Sequence, residues 1–312
     1  MCKFKLTIIY SFLIIALYSC NSYKKVYFFT SFHEPANQGL RLLYSYDGYK
    51  WIDLNYIFLP PQVGNQQVMR DPSIIQDKNG IFHLVWTSSW RGDRGFGYSS
   101  SKDLINWTEQ KFIPVMEFDT STVNVWAPEI FFDDEKNEFI IIWASTLPYK
   151  FPNGIEDIRN NHRLYYTVTK DFINYSPAKL FFDPGYSVID GTIVKMDKNK
   201  YVLVFKDNTR PQRNIKAAFS DKPLGVYDNI TPAFTDTFTE GPSVLKINRE
   251  YLIYYDAYRI KKYGASITKD FKSFRDISDK ISIPEGHKHG TVFISNKKVL
   301  KNIMKAINSK TK

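Results

Sequence analysis

The chain carries two cysteines, Cys2 and Cys20, and no thiol follows residue 20. Everything downstream therefore folds without a disulfide, a thiolate nucleophile or a thiolate metal site. Long apolar runs are also missing. The one candidate, Leu6 to Leu17, is too short to span a bilayer comfortably. Acidic residues are absent from 296–312, where Lys297, Lys298, Lys301, Lys305, Lys310 and Lys312 stand. The formal net charge of +10 thus sits largely in that tail and at Lys3 and Lys5. The body is nearly neutral, which argues against a nucleic-acid partner. A content of 43% hydrophobic and 24% charged residues excludes a disordered, collagenous or multi-span membrane chain. What the sequence has in quantity is aromatic residues, with Phe 24, Tyr 21 and Trp 6. That bias favours β structure and surfaces that stack on flat ligands such as sugar rings.

Lys3 and Lys5 followed by the apolar stretch read as a secretory signal over residues 1–19. Leu17-Tyr18-Ser19-Cys20 resembles a bacterial lipobox in which Cys20 becomes the lipidated first residue, although Tyr18 is bulkier than the usual residue there. A plain signal with a chance cysteine is the alternative. Residues 20–25 are then a short linker. The expected protein is exported and held by lipid at the outer membrane, cell surface or periplasm of a bacterium, with no other membrane contact.

Internal repetition sets the architecture. A short pattern recurs as Asp71-Pro72-Ser73-Ile74, Ala127-Pro128-Glu129-Ile130, Asp190-Gly191-Thr192-Ile193, Gly241-Pro242-Ser243-Val244 and His289-Gly290-Thr291-Val292. After the first four copies comes a polar turn and a strand-like run: Ile81 to Thr87, Phe139 to Ala144, Lys200 to Phe205 and Tyr251 to Tyr255. A second pattern follows, Ser101-Lys102-Asp103-Leu104 with Trp107, Thr169-Lys170-Asp171-Phe172 with Tyr175, and Thr268-Lys269-Asp270-Phe271 with Phe274. Its aspartate can cap its own turn, and the ring can begin an outer strand. Ser220-Asp221-Lys222-Pro223 with Tyr227 is a looser copy.

The fifth unit is split between the chain ends. Val26 to Phe32, Leu40 to Tyr44 and Asp47 with Trp51 supply its later parts, and His289-Gly290-Thr291-Val292 its first. A ring whose last blade joins both termini explains the split and leaves no open sheet edge. Residues 26–295 are therefore expected to be all-β, a single five-bladed β-propeller. The tail 296–312 carries Val299, Leu300, Ile303, Met304 and Ile307 at helical spacing, so a short packing helix is expected there.

In a propeller, equivalent inner strands start at one level around the channel. Asp71, Asp190 and Glu240 would meet there, and crowding three carboxylates pushes one to keep a proton. Glycoside hydrolysis uses that combination: an ionised carboxylate to activate water and a protonated one to release the leaving oxygen. Met69-Arg70-Asp71-Pro72-Ser73, Val125-Trp126-Ala127-Pro128-Glu129-Ile130, Val188-Ile189-Asp190-Gly191-Thr192 and Thr239-Glu240-Gly241-Pro242-Ser243 resemble, in order and spacing, the blade motifs of glycoside hydrolase family 43. The resemblance implies an inverting hydrolase of arabinofuranosides or xylosides in plant polysaccharides. It assigns Asp71 as general base, Glu240 as general acid and Asp190 as the residue that tunes and orients the acid. Inversion calls for Asp71 and Glu240 carboxyls roughly 6.5–9.5 Å apart.

Trp126 would form a sugar-stacking wall, and Trp90, Arg91, Tyr258 and Arg259 would line the rim. His289 resembles the family histidine that contacts a central calcium or water, reaching a hard cation mostly through water. No cofactor is required beyond that structural calcium, and a monomer acting on plant cell-wall glycan is expected. Two other readings stay open. A related fructan hydrolase would normally show an early Asn-Asp-Pro motif and a C-terminal β-sandwich, and neither is present. A glycan-binding propeller without turnover would use Trp126 and Trp90 but not three acids.

Overall fold

The computed structural model describes residues 25–152 and 154–310. The signal segment and Cys20 lie outside the described residues. From the N-terminus, β1 (Lys25–Ser31), β2 (Arg41–Ser45) and β3 (Ile52–Asp53) are followed by β4 (Arg70–Gln76), β5 (Phe82–Thr87), β6 (Gly95–Ser101) and β7 (Lys111–Pro114). Next come β8 (Trp126–Asp133), β9 (Glu138–Ser145), β10 (Arg163–Thr169), β11 (Lys179–Phe182), β12 (Val188–Asp197), β13 (Lys200–Asp207) and β14 (Asn214–Ser220). β15 (Glu240–Ile247), β16 (Glu250–Ala257), β17 (Lys262–Thr268), β18 (Phe274–Asp276), β19 (Val292–Asn296) and helix α1 (Lys297–Lys310) complete the chain.

These strands form five antiparallel sheets, ordered β4-β5-β6-β7, β8-β9-β10-β11, β12-β13-β14, β15-β16-β17-β18 and β19-β1-β2-β3. The first strands of successive sheets touch in the order β4, β8, β12, β15, β19, which makes a ring of five blades. As the split repeat requires, the ring closes through β19 against β1, with Lys25 opposite Asn296 and Phe29 opposite Val292. Phe28 and Phe293 stack across this seam at 5.4 Å. Gly290 is obligatory at the seam, because a Cβ there would fall 1.8 Å from the Thr30 carbonyl oxygen.

The second repeat works locally as its sequence suggests. In each full copy the aspartate accepts from two backbone N–H groups: Asp103 from Ile105 and Asn106, Asp171 from Ile173 and Asn174, Asp270 from Lys272 and Ser273. The preceding Ser or Thr takes the N–H of Leu104, Phe172 or Phe271, each at positive φ and buried. Side-chain caps thus offset the cost of a left-handed turn that delivers an apolar plug into the core. The loose copy lacks this cap. Where it stands, the blade of β12 to β14 has three strands, and Phe219 and Asp228 make only an isolated bridge.

The core lies between blades. Trp86 and Trp143 are among its largest fully buried side chains, and Ile130, Ile141 and Trp143 pack with Val85 and Phe96 between neighbouring sheets. Helix α1 buries Leu300 and Ile303 against the cluster containing Phe28, Phe82 and Phe293. Among the described residues, no helix is long and apolar enough to cross a membrane.

Candidate active site

Each of the four complete inner strands carries a β-bulge at the first repeat, seen as a register shift after Arg70, Trp126, Ile189 and Glu240. The next residue is left-handed in all four of these strands: Asp71 (φ 49°), Ala127 (φ 47°), Asp190 (φ 51°) and Gly241 (φ 60°). Bulges re-aim side chains and gather at functional sites. The equivalence agrees with the repeat alignment, in which Gly241 falls at the place of Asp71. Asp71 and Asp190 share the left-handed position, whereas Glu240 stands one residue earlier, at the place of Arg70, Trp126 and Ile189. Glycine follows it because a Cβ at 241 would strike the His289 ring at 2.5 Å.

Asp71 is fixed from two sides. Thr87 Oγ1 donates to its Oδ2 at 2.9 Å, and His289 Nδ1 lies 3.3 Å from its Oδ1. Burial pushes the carboxyl pKa up, but His289, Arg70 and Thr87 outweigh burial and hold it below the usual aspartate value. For His289, burial opposes the charge, yet the bond to Asp71 and the charges of Asp190, Asp71 and Glu129 raise its pKa to about 9. Asp71 is therefore an ionised carboxylate facing an imidazolium.

Glu240 has a different partner. Lys206 on β13, its side chain only 3% exposed, donates to Glu240 Oε2 at 2.7 Å. Its Nζ also lies 4.9 Å from the Tyr258 ring centre. Burial disfavours the lysine charge, but Glu240 and Asp190 overcome that and raise the Lys206 pKa. Asp190 accepts the Gly241 N–H at 3.1 Å through Oδ2. Burial foremost, then the charges of Glu240 and Asp71, raises Asp190 to about 6 against the pull of His289 and Lys206. Asp190 thus keeps its proton to a higher pH than an ordinary aspartate.

A pocket of about 1000 Å³ is lined by Arg70, Asp71, Glu240, Asp256, Tyr258 and His289, with further residues from the loop before β19. Of the sequence-derived candidates, Asp71, Glu240, Tyr258 and His289 line it, and Asp190 reaches it through Gly241. Tyr258 brings a buried hydroxyl without a partner. Trp126 and Trp90 lie outside this lining but form a connected aromatic wall. Their rings are 4.7 Å apart, Trp126 stacks on His162 at 4.9 Å, and Trp126 Nε1 donates to the Trp90 carbonyl. Arg70 ties the wall to the pocket, lying 4.8 Å from the Trp90 ring centre and 5.0 Å from that of Phe32. Arg91 and Arg259 are exposed; Arg259 stacks on Phe238 at 3.4 Å, and neither lines the pocket.

Deeper in the channel, Glu129 accepts from Thr192 and Thr291, and burial raises its pKa. A channel calcium would meet Glu129 and His289, but a protonated imidazole offers no lone pair. His289 could serve such an ion only through water.

Sequence comparison overlooked Thr87, Lys206 and Asp256. All three are cross-strand partners of the first bulge residue: Thr87 of Arg70, Lys206 of Ile189, Asp256 of Glu240. Each is a polar residue ending an otherwise apolar or aromatic run. Aligning the second strands as well as the first would have exposed them.

A family model described as a probable glycosyl hydrolase domain, of the glycoside hydrolase 43-related family, matches residues 19–298. Over 128 residues the chain is 29% identical to an alpha-L-arabinofuranosidase of Bifidobacterium longum subsp. longum, covering 37% of this chain and 12% of that protein. The match therefore spans a small part of that relative. Among solved structures, a thermostable family-43 glycoside hydrolase superposes with TM-score 0.55 at 16% identity, over 72% of this chain and 81% of that one. An alpha-L-arabinofuranosidase from Lactobacillus brevis gives TM-score 0.53 at 17% identity, over 67% and 72%. An endo-1,4-beta-xylanase from Bacteroides thetaiotaomicron gives 0.51 at 18%, over 69% and 73%. At these identities the structural likeness establishes the shared fold.

Proposed function

This chain belongs to the glycoside hydrolase 43-related family of probable glycosyl hydrolase domains, and on that premise we propose that it is an inverting hydrolase of α-L-arabinofuranoside or β-D-xyloside linkages in plant glycans. The observation that carries the reading is the gathering of Asp71, Asp190 and Glu240, from three blades, on bulges around one pocket. Asp71, held ionised, takes a proton from the attacking water. Glu240, whose Oε2 accepts from Lys206, gives its proton to the leaving oxygen. Asp190, raised to about 6 and close behind Gly241, is placed to share that proton. Tyr258 and the Trp90–Trp126 wall hold the sugar.

The test is hydrolysis of aryl α-L-arabinofuranoside, aryl β-D-xyloside, arabinan and xylan by the mature chain, with the anomer of the first product followed by NMR. Turnover with inverted configuration is expected, and retention would contradict the assignment. A second reading, a glycan-binding pocket without turnover, is favoured by one observation: Asp71 and Glu240 are each already paired with a cation. Undiminished glycan affinity with no turnover of any substrate would select it.

We further propose that the protein acts outside the cytoplasm as a monomer tethered through Cys20. Incorporation of a labelled fatty acid, abolished by Cys20→Ser, is the expected result; equal labelling of that variant would overturn it.

A further inference from the structure

Beside the catalytic pocket, and separate from its carboxylates, stands a cluster that the hydrolytic reading does not use. Phe32 and Lys288 form an antiparallel bridge, which sets His33 opposite His287, and Asp53 reaches the same point from the end of β3. One ligand atom from each of His33, Asp53 and His287 lies within 4.8 Å of the other two. His287 Nε2 is 3.2 Å from Asp53 Oδ2. Arms of about 2.0–2.2 Å in a tetrahedral zinc site put neighbouring ligand atoms roughly 3.3 Å apart. The pair therefore already has the needed span.

Two features point to a ligand rather than to a simple polar contact. The Nε2 atom of His33 is buried without a hydrogen-bond partner, that of His287 meets Asp53 at 3.2 Å outside good hydrogen-bond geometry, and the His287 side chain is wholly buried. Unsatisfied buried imidazole nitrogens are costly unless something occupies them. The far side of His287 is also arranged for ligation. Its Nδ1 lies 2.6 Å from Ser31 Oγ, and Ser31 can pass its own proton to the Phe32 carbonyl at 3.4 Å. That relay lets Nδ1–H donate outward and leaves the Nε2 lone pair facing Asp53, as outer partners of metal-binding histidines do. Asp53 Oδ1 is occupied by the Asn55 N–H, so Oδ2 is the oxygen left to bind. Arg41 is the nearby opposing charge, and its Nη2 is tied to Gln38 Oε1 at 2.8 Å.

We propose that His33, Asp53 and His287 bind a late first-row divalent cation, zinc in the simplest case, with an open coordination position toward the pocket. Nitrogen-rich donors select such ions over calcium or magnesium. Three protein ligands leave a position for water or a sugar hydroxyl, and His33 and His287 both line the pocket. This ion is distinct from anything in the central channel, where Glu129 and His289 stand.

The experiment uses the mature chain stripped with a chelator. Zinc binding is followed by calorimetry and Co²⁺ binding by visible absorption. One zinc per chain is expected, with Co²⁺ bands of a low-coordinate nitrogen-oxygen site. His33→Ala and Asp53→Asn, both at half-buried positions and checked for folding by thermal melts, should weaken binding by at least about tenfold. Asp71→Asn should leave binding unchanged. A folded wild type that binds no zinc, binding indifferent to both substitutions, or a site that takes Ca²⁺ in preference to Zn²⁺ would each overturn the proposal. Because the readout is binding, the outcome is independent of whether any glycoside is hydrolysed.

Discussion

The two sides of the pocket solve the same problem differently. Each presents a carboxylate from a bulged inner strand, and each carboxylate faces a cation: Asp71 faces His289, Glu240 faces Lys206. On the Asp71 side the carboxylate takes a hydroxyl as well as the imidazolium, and its side chain is 14% exposed. On the Glu240 side one lysine makes the bond, and the glutamate is 31% exposed. A general base must be ionised before the substrate arrives, so a fixed, doubly held carboxylate suits it. A general acid must acquire a proton, and a partly open carboxylate near an Asp190 whose pKa is raised suits that. On the proposed reading, burial and partner, not residue type alone, divide the roles.

The largest expected effect is the loss of the fixed side. Asp71→Asn should lower kcat/KM by about 10²–10⁴ on every substrate, activated aryl glycosides included, since all need the same water deprotonated. Equal loss on all of them is the outcome to look for; sparing of the activated substrates would move the base elsewhere. Next comes the cation of the open side. Lys206→Met removes the buried charge that pulls against the raised pKa of Asp190, so the limb of the pH–kcat/KM profile that follows Asp190 should move upward. The stability cost should fall short of the ~3–5 kcal/mol typical of a broken buried pair, because Glu240 can still meet water.

Stability against pH separates the two sides further. His289 is raised above its ordinary value, so its stabilisation is complete below pH 6.5 and is lost as pH rises toward about 9. Asp190 is also raised, but as an acid: the folded state binds its proton more tightly. Ionising it therefore costs stability between its ordinary value of 3.8 and about 6. Thermal melts across pH should show His289→Gln abolishing the alkaline loss, and Asp190→Asn gaining on wild type as pH rises from 3.8 to about 6 and holding that gain above it. An Asp190→Asn variant that tracks wild type at every pH would show that the carboxyl is not perturbed. The smallest effect on kcat/KM belongs to Thr87→Val, which removes the hydroxyl bond to Asp71, worth about 1 kcal/mol or roughly fivefold, and also the one accepted from the buried Ala127 N–H, whose loss shows in stability.

The blade count, the ring closure and the pocket carboxylates were legible because repeats convert position in sequence into position around an axis. The turn-capping aspartates were legible for a local reason, since their partners lie two and three residues ahead. The one-residue offset of Glu240 was legible in the same repeats, but the bulge behind it was not, because a bulge is a property of the pair of strands and β16 supplies half of it. Lys206 was hidden by its context, an apolar run that reads as core until its neighbour β12 brings it level with Ile189. The His33, Asp53 and His287 cluster depends on contact between chain ends more than 250 residues apart, for which the sequence offers no local pattern. Trp126 was recognised as a wall, but its partnership with Trp90 and His162 needed the fold.

The division of labour between the two sides is tested most directly by a leaving-group series with Glu240→Gln. Aryl glycosides of graded leaving-group acidity would be compared with the natural polysaccharide. A true acid matters most when the leaving oxygen is most basic. The account predicts a loss of about 10²–10⁴ on polysaccharide that shrinks steadily toward the most activated aryl glycoside. A loss of the same size for every leaving group would contradict it, and would make Glu240 a binding residue instead of the proton donor.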